Sequence, residues 1–143
     1  MKNIDNKTVL VGGCFDLLHH GHISFLKQAK QLGDQLIVLL ESDENVKRLK
    51  GEGRPFHTQE QRKEMLLALT CVDEVRILPP MTEFQHYQNL VRKIQPAVIA
   101  VTEGDPKIEL KRKQAESVGA QLVVIPHINT PSTSKLAKLL SLE

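Results

Sequence analysis

Five short apolar runs alternate with longer segments of helical periodicity, and this alternation restricts the chain to very few folds. Most of the runs are apolar at nearly every position; they span Thr8–Val11, Gln35–Leu40, Glu74–Leu78, Ala97–Val101 and Gln121–Ile125. Strands are apolar throughout when helices cover both faces of a parallel sheet. Right-handed strand–helix crossovers then predict a doubly wound, Rossmann-like α/β fold with a five-stranded parallel sheet, forming a single domain over residues 1–143.

Local signals predict where the intervening helices begin and end. Thr58 and Gln61 form a capping box, and Asp105 followed by Pro106 predicts a cap and the first residue of a later helix. Gly33 and Gly119 are predicted helix stops, and the last helix is expected at about 132–140.

Composition excludes several classes of function. The formal net charge of +2 and an aromatic content of 3% argue against nucleic acid as a partner. No apolar run approaches the ~20 residues of a membrane span, and the first residues lack a secretory-signal pattern. Two cysteines, Cys14 and Cys71, form no disulfide framework and suit a reducing compartment. We therefore expect a cytoplasmic protein without a membrane partner.

The segment after the first strand carries the densest chemistry. It contains, in order, Gly12, Gly13, Cys14, Phe15, Asp16, His19, Gly21 and His22. The glycines let backbone approach a ligand, and the helix start offers free N–H groups to an anion. Two imidazoles three residues apart can point at one spot, which favours a phosphate site. Zinc binding by the clustered histidines and a purely structural turn are the alternatives.

The motif G-x-F-D-x-L-H-x-G-H over 13–22 resembles the nucleotidyltransferase superfamily of cytidylyltransferases and adenylyltransferases. The resemblance continues through 26–62 and so covers about the first half of the chain. That half is most similar to adenylyltransferase domains that make ADP-heptose from a heptose 1-phosphate. It also resembles glycerol-3-phosphate cytidylyltransferase and archaeal FAD synthetase.

The resemblance implies roles for individual residues. Lys50, within the basic run 47–54, is expected to contact phosphates, as the matching lysine does in the relatives. Independently of the resemblance, the position of this glycine-bearing run after the second strand predicts a lid loop. Asp16, Arg54 and Arg62 are the expected acceptor-binding residues, and Asp16 is also expected to orient its loop.

Two later segments are expected to contact the nucleotide. Gly104 and Asp105 match a Gly-Asp pair that relatives carry near the base and ribose, although Asp105 is equally explained as a helix cap. Ser132, Thr133 and Ser134 keep the hydroxyls of a cytidylyltransferase motif, whereas His127 stands where that motif has arginine. The glycines Gly12, Gly13 and Gly21, together with Cys14 and Phe15, complete the expected nucleotide site.

These residues predict transfer of a nucleoside monophosphate from a triphosphate to a phosphorylated acceptor, with release of pyrophosphate. His19, His22 and Lys50 are the predicted catalytic residues, Mg²⁺ is expected with the triphosphate, and no protein metal ligands are predicted. ATP and a sugar phosphate are the first choice; CTP with a glycerol phosphate, or ATP with FMN, are the alternatives. A nucleotide-sensing module without turnover is the non-enzymatic alternative. Relatives are commonly homodimers.

Overall fold

The computed structural model describes residues 6–128 and 132–140 and shows one parallel sheet with helices on both faces. The strands are β1 (Thr8–Gly13), β2 (Gln35–Leu40), β3 (Glu74–Ile77), β4 (Val98–Thr102) and β5 (Gln121–Ile125). The helices are α1 (His20–Lys30), α2 (Asp43–Lys50), α3 (Gln59–Leu67), α4 (Phe84–Ile94), α5 (Ile108–Ser117) and α6 (Thr133–Leu139). The predicted five-stranded, Rossmann-like fold is confirmed.

Each sheet face has its own apolar core, which explains why the strands are apolar at successive positions. Val9 and Val11 of β1 pack with Leu26 of α1 and Leu66 of α3 on one face. Leu10 of β1, which points the other way, belongs to a second cluster that includes residues of α4 and α5. Because side chains alternate across a strand, both cores draw on the same apolar runs.

The strand order places a topological switch beside β1. The sheet runs β3-β2-β1-β4-β5, so successive strands are added on one side of β1 and then on the other. The connections leave the sheet in opposite directions at the carboxyl ends of β1 and β4. A crevice forms there, and it is where ligands bind in open α/β sheets.

Two predicted helix boundaries are wrong, for identifiable reasons. After β4 the chain first makes a turn, in which Gly104 has φ +84° and the Asp105 N–H donates to the Thr102 carbonyl. Helix α5 therefore begins at Ile108, and Asp105 does not cap it. Helix α1 ends before Gly33, whose Cβ would lie 2.7 Å from the Lys7 carbonyl oxygen. That glycine permits close chain approach rather than stopping the helix.

The basic run 47–54 is helical over its first half, 47–50, which ends α2, whereas its glycine-bearing second half, 51–54, is non-helical as predicted. Ser42 caps α2 by accepting a hydrogen bond from the Asn45 N–H, with acidic residues in the first turn and basic residues in the last. This order complements the helix dipole and stabilises a helix up to Lys50. The capping box at Thr58 and the stop at Gly119 (φ +69°) are confirmed.

Within the described ranges, none of the helices is long and apolar enough to cross a membrane.

Candidate active site

The two histidines of the motif form the cap of helix α1. His19 is the N-cap residue, and its Nδ1 accepts a hydrogen bond from the Gly21 N–H at 3.0 Å. His22 reaches back in the reciprocal sense, because its Nδ1 accepts from the His19 N–H at 3.3 Å. The rings stack with centroids 3.9 Å apart. Because each Nδ1 accepts a hydrogen bond, each neutral ring carries its hydrogen on Nε2. The two Nε2–H groups of the stacked rings are therefore the donors that the motif holds in position.

Both imidazoles are neutral at physiological pH. Burial, together with smaller contributions from the neighbouring His19 and Lys50, lowers the pKa of His22 to about 4. Burial also lowers the pKa of His19, with a smaller contribution from His20. The rings therefore act as hydrogen-bond donors without bringing positive charge, which Lys50 supplies instead.

The turn before α1 is held in a costly backbone conformation. Phe15 and Leu17 have φ values of +47° and +56°, a region that side chains larger than glycine rarely adopt. The Phe15 ring is buried against His22, with centroids 5.5 Å apart. A Cβ on Gly13 would lie 3.0 Å from that ring, so this glycine makes room for Phe15. The strained turn thereby orients His22.

A cavity of about 400 Å³ at the switch point brings together segments that are far apart in sequence. Its lining comes from the β1–α1 segment, from Lys50 at the end of α2, and from residues 126–128, Ser132 and Ser134 near the C-terminus. The predicted site residues that line the cavity are Gly12, Gly13, Cys14, Phe15, Asp16, His19, Gly21, His22, Lys50, Asp105, Ser132 and Ser134. His127 lines it as well.

Three predicted residues do not line either cavity at this end of the sheet: Gly104, Arg54 and Arg62. The side chain of Thr133 lies outside the described part of the chain. Ser132 caps α6 by accepting from the Lys135 N–H at 3.2 Å.

Asp16 and Arg54 form a buried ion pair. Arg54 Nε lies 2.8 Å from Asp16 Oδ2, and their side chains are 2% and 0% exposed respectively. The carboxylate also accepts hydrogen bonds from the Phe56 and His57 N–H groups. The expectation that Asp16 orients its loop agrees with this geometry, whereas direct contact with an acceptor is not supported for either residue.

Arg62 is buried and fully engaged by protein. Its guanidinium donates to the Cys14 carbonyl at 2.7 Å, to Asp43 Oδ1 at 2.7 Å and to the His57 carbonyl at 3.1 Å. It is 1% exposed. The geometry therefore does not support the predicted acceptor clamp, because the fork that would hold a phosphate already ties α3 to the β1–α1 loop and to α2.

Asp105 lies between two cavities. Its carboxylate accepts from the Lys107 N–H at 2.8 Å and pairs with Lys111 Nζ at 2.6 Å. Burial raises its pKa, but the hydrogen bonds and charges of Lys111 and Lys107 together outweigh burial and hold that pKa below its usual value. An anionic Asp105 faces the ligand space as predicted.

The second cavity, of about 390 Å³, opens on the α4–α5 side of the same strand ends. It shares Gly12, Gly13, Cys14, Lys50, Ala100, Asp105 and Lys111 with the first cavity. Its other walls are largely apolar, and Glu41 and Tyr87 add polar groups. Two adjoining cavities that share Lys50, Lys111 and the end of β1 can hold two substrates with their reacting groups together.

The profile of the cytidylyltransferase-like family matches residues 10–141. The chain belongs to the cytidylyltransferase-like family. Membership makes it a nucleotidyltransferase, and the resemblance inferred from the motif is confirmed.

Curated relatives and solved structures agree with this assignment. The bifunctional protein HldE of Geobacter sulfurreducens is 37% identical over 132 residues, which are 91% of this chain and 26% of that protein. The HldE protein of Shewanella sediminis is 40% identical over 91% of this chain and 27% of its own length. The chain thus spans about a quarter of the length of these relatives.

A solved lipopolysaccharide core biosynthesis protein from Thermoplasma volcanium superposes with a TM-score of 0.68 at 25% identity, covering 87% of this chain and 98% of that one. A pantoate-beta-alanine ligase from Francisella tularensis has a TM-score of 0.63 at 18% identity, over 91% of this chain and 62% of that one. The second likeness extends to the fold alone.

Several residues of this cytidylyltransferase-like site were missed from sequence. Glu41 directly follows β2, so the rule that placed chemistry after strands would have found it. Tyr87 is the single tyrosine of the chain, but its place in an apolar helical stripe disguised it. Lys111 carried no motif and is recognised only through its contact with Asp105.

The residues present do not form a protein cage for a metal. Across 6–128 and 132–140, no group of three or more His, Cys, Asp or Glu side chains is placed to hold an ion. The zinc alternative for His19 and His22 is therefore not supported. A Mg²⁺ ion that arrives on a triphosphate fits this site better, because the phosphate oxygens supply most of its ligands.

Proposed function

We propose that this enzyme transfers an adenylyl group from ATP to a sugar phosphate of the heptose 1-phosphate type and releases pyrophosphate. The main observation that supports the proposal is one cavity. It is lined by the two histidines that cap α1, by Lys50 and by residues of the α6 segment. The choice of sugar rests on the resemblance of 13–62 to ADP-heptose-forming domains and on the lipopolysaccharide core biosynthesis protein of the same fold.

In the proposed reaction an acceptor phosphate oxygen attacks the α-phosphorus of ATP. A new P–O bond forms, and the bond from the α-phosphorus to the oxygen bridging to the β-phosphate breaks. The electron pair of that bond leaves with pyrophosphate. The attacking oxygen is already anionic, so no general base is needed; the enzyme has to hold two polyanions together and stabilise the transition state.

The two histidines supply preorganised donors for the phosphates. Their Nε2–H groups are fixed by the reciprocal cap at the start of α1, where free backbone N–H groups also favour anions. Neutral donors of this kind need no proton transfer to function. They are aimed by the fold before substrate arrives, which is the arrangement that stabilises developing charge most effectively.

Lys50 supplies the positive charge at the junction of the two cavities. We place the ATP phosphates in the cavity with His19 and His22, and the acceptor in the cavity on the α4–α5 side. Lys50 then contacts the reacting phosphates of both substrates. Mg²⁺ accompanies the triphosphate in this proposal and neutralises part of its charge.

ATP is favoured over CTP because His127 stands where cytidylyltransferases have arginine. His127 lines the first cavity, where its Nδ1 lies 2.8 Å from the Ile128 carbonyl oxygen. We also include cytoplasmic localisation and self-association into a homodimer in the proposal. Free Cys14 and Cys71 suit a reducing compartment, and size-exclusion chromatography with light scattering measures the oligomeric state.

Pyrophosphate release tests the proposal directly. The enzyme is mixed with Mg²⁺, ATP or CTP, and one of three acceptors: a heptose 1-phosphate, glycerol 3-phosphate or FMN. We expect the highest kcat/KM with ATP and the heptose 1-phosphate. Release with CTP and glycerol 3-phosphate alone, or with ATP and FMN alone, would replace this assignment by the corresponding alternative.

Substitution of His22 separates an enzyme from a nucleotide-sensing module. Because one transition-state donor is removed, we expect His22→Ala to lower kcat by about 10²–10³-fold, while ATP binding weakens far less. The matched control is His20→Ala, since His20 is exposed and lines neither cavity. Binding of ATP by the wild type without pyrophosphate release from any acceptor would support the sensing module.

A further inference from the structure

The second cavity has largely apolar walls and contains two carboxylates, Glu41 and Asp105, of which Asp105 is paired with Lys111. Glu41 follows β2, and its backbone N–H donates to the Gly13 carbonyl at 3.1 Å, which fixes it beside the β1 end. Leu49, Phe84 and Leu110 are large exposed apolar side chains, and all of them line this cavity. The Glu41 carboxylate, which lies within these walls, calls for a specific ligand.

The Glu41 carboxylate is held in position by two neighbours. Tyr87 Oη lies 3.0 Å and 3.1 Å from its two oxygens, and Asn45 Nδ2 donates to Oε1 at 3.1 Å. Asn45 is itself 2% exposed and donates to the Met81 carbonyl at 2.6 Å. Burial and the Glu41 charge raise the pKa of Tyr87, so its hydroxyl stays protonated as a donor.

The described protein contacts leave part of the carboxylate's accepting capacity for a ligand. An ionised carboxylate has about four lone-pair positions. The single Tyr87 hydrogen and one Asn45 amide hydrogen fill at most half of them. Two adjacent hydroxyls of a ligand match the remaining positions, with one O–H donating to each carboxylate oxygen.

Charge fixes the orientation of such a ligand. The Glu41 carboxylate repels a phosphate, whereas Lys50, Lys107 and Lys111, which line the same cavity, attract one. Lys111 is already paired with Asp105, and Lys107 does not line the first cavity, where the ATP phosphates are placed. The phosphate of an acceptor therefore points to Lys50 and the first cavity, with its hydroxyl-bearing carbons against Glu41. The apolar walls of Phe84 and Leu110 suit the C–H faces of those carbons.

We propose that Glu41, positioned by Tyr87 and Asn45, is the specificity-determining residue that selects a phosphorylated acceptor with adjacent hydroxyls. This inference rests on the proposed function, because it assigns the second cavity to the acceptor. It holds for any of the three acceptor classes tested above, since each of them carries adjacent hydroxyls.

Three probes that share a three-carbon chain and a phosphate isolate the contribution of the hydroxyls. They are glycerol 3-phosphate, propyl phosphate and 3-aminopropyl phosphate, and each is measured as a competitor of the best acceptor and by calorimetry with a non-hydrolysable ATP analogue present. We expect glycerol 3-phosphate to bind wild-type enzyme at least about tenfold more tightly than propyl phosphate, from hydrogen bonds to a charged group.

Variants show whether Glu41 causes that preference. In Glu41→Gln we expect the ratio between the two probes to fall to about threefold or less, with acceptor KM raised about tenfold and kcat and the KM for ATP nearly unchanged. Tyr87→Phe, which keeps the ring, should shift acceptor KM in the same direction by less. Glu44→Gln is the matched control, because Glu44 is exposed and lines neither cavity.

Defined results overturn the inference. The inference is overturned if wild-type enzyme binds glycerol 3-phosphate and propyl phosphate with equal affinity. It is also overturned if neither probe binds measurably. Tighter binding of 3-aminopropyl phosphate overturns it as well and makes Glu41 an ammonium site. The wild-type probe ranking needs no variant and stands even if Glu41→Gln is unstable. Failure of the proposed function is distinguishable, since it appears as no pyrophosphate release by wild-type enzyme.

Discussion

At the scale of single residues, the two motif histidines combine a structural and a chemical role in one geometry. The side-chain nitrogens that cap α1 are the Nδ1 atoms, so the Nε2–H groups are left for a ligand. A Thr or Ser cap would satisfy the same backbone donors without presenting new ones. This explains why imidazoles are needed where a common capping box would suffice for folding.

The low pKa of His22 predicts a pH dependence of stability. Its folded-state pKa of about 4 lies below the ordinary value of 6.5, so the unfolded chain takes up the proton first. Stability from this group is complete above about pH 6.5 and is lost as the pH falls towards 4. We expect the wild-type Tm to fall more between pH 7 and pH 5 than that of His22→Gln, in which Gln keeps the capping box.

Calorimetric scans at pH 7 and pH 5 measure this difference, and His20→Gln controls for the loss of an exposed imidazole. An equal fall of Tm in wild type and His22→Gln would show that the buried ring does not resist protonation.

Whether a predicted residue lines the first cavity in the structure depends on how local its sequence signal is. His19 and His22 were found because a motif and a helix start specify them together. Arg54 and Arg62 were expected in contact with an acceptor, yet their guanidiniums point inward to Asp16 and Asp43. A charged side chain gives no local sign of whether a distant partner will bury it, so only the tertiary structure shows this.

At the scale of elements, Arg62 connects segments that must stay aligned around the site. It joins α3 to the carbonyl of Cys14 at the end of β1 and to Asp43 in the first turn of α2. Both elements carry residues of the first cavity, namely the β1–α1 turn and Lys50. Alignment of the site therefore depends on a side chain that does not line it.

Replacement of Arg62 tests this positioning role. Lysine cannot donate to all three partners, so we expect Arg62→Lys to lower the free energy of unfolding by about 2–4 kcal/mol. Asp43→Asn should lower the free energy of unfolding by less than about 1 kcal/mol. The Asp43 side chain is 44% exposed, so water replaces its carboxylate as a partner of Arg62. Urea denaturation measures both changes. If Arg62→Lys is as stable as the wild type but has a raised acceptor KM, Arg62 binds the acceptor as the sequence predicted.

The elements themselves were largely predictable, and their ends were less so. The runs 35–40 and 121–125 coincide with β2 and β5. The central strand β2 is buried over nearly its whole length, whereas in the edge strand β5 only Ile125 is buried. Asp105 looked like a helix cap, but the turn through Gly104 delays α5 to Ile108. Gly33 was predicted to stop a helix, but glycine is needed there because the Lys7 backbone lies too close for a Cβ atom. Boundaries set by distant backbone carry no signal in the local sequence.

At the scale of the whole molecule, the topology brings the site together. The β1–α1 turn, the end of α2 and the segment before α6 are separated by many residues, yet all reach the carboxyl edge of the sheet where the strand order reverses. The sequence predicted this convergence through the fold class. It did not predict the second cavity, which forms between the sheet and the α4–α5 pair and carries no motif.

Lys50 lines both cavities, so we expect the binding of both substrates to depend on it. We expect Lys50→Met to lower kcat by about 10²–10³-fold and to raise the KM for ATP and for the acceptor together. Folding should be unaffected, because Lys50 is exposed at the last position of α2. Lys47→Met is the matched control: Lys47 is 59% exposed, pairs with Glu52 and lines neither cavity.

The same variant reports on geometry without any substrate. The Lys50 ammonium contributes to the low pKa of His22, so Lys50→Met should raise that pKa from about 4, whereas Lys47→Met should leave it unchanged. An NMR titration of the His22 ring measures this shift. Loss of activity without a shift would place Lys50 away from the histidines, and a shift without loss of activity would remove it from the reaction. Only the two changes together support one lysine serving both cavities.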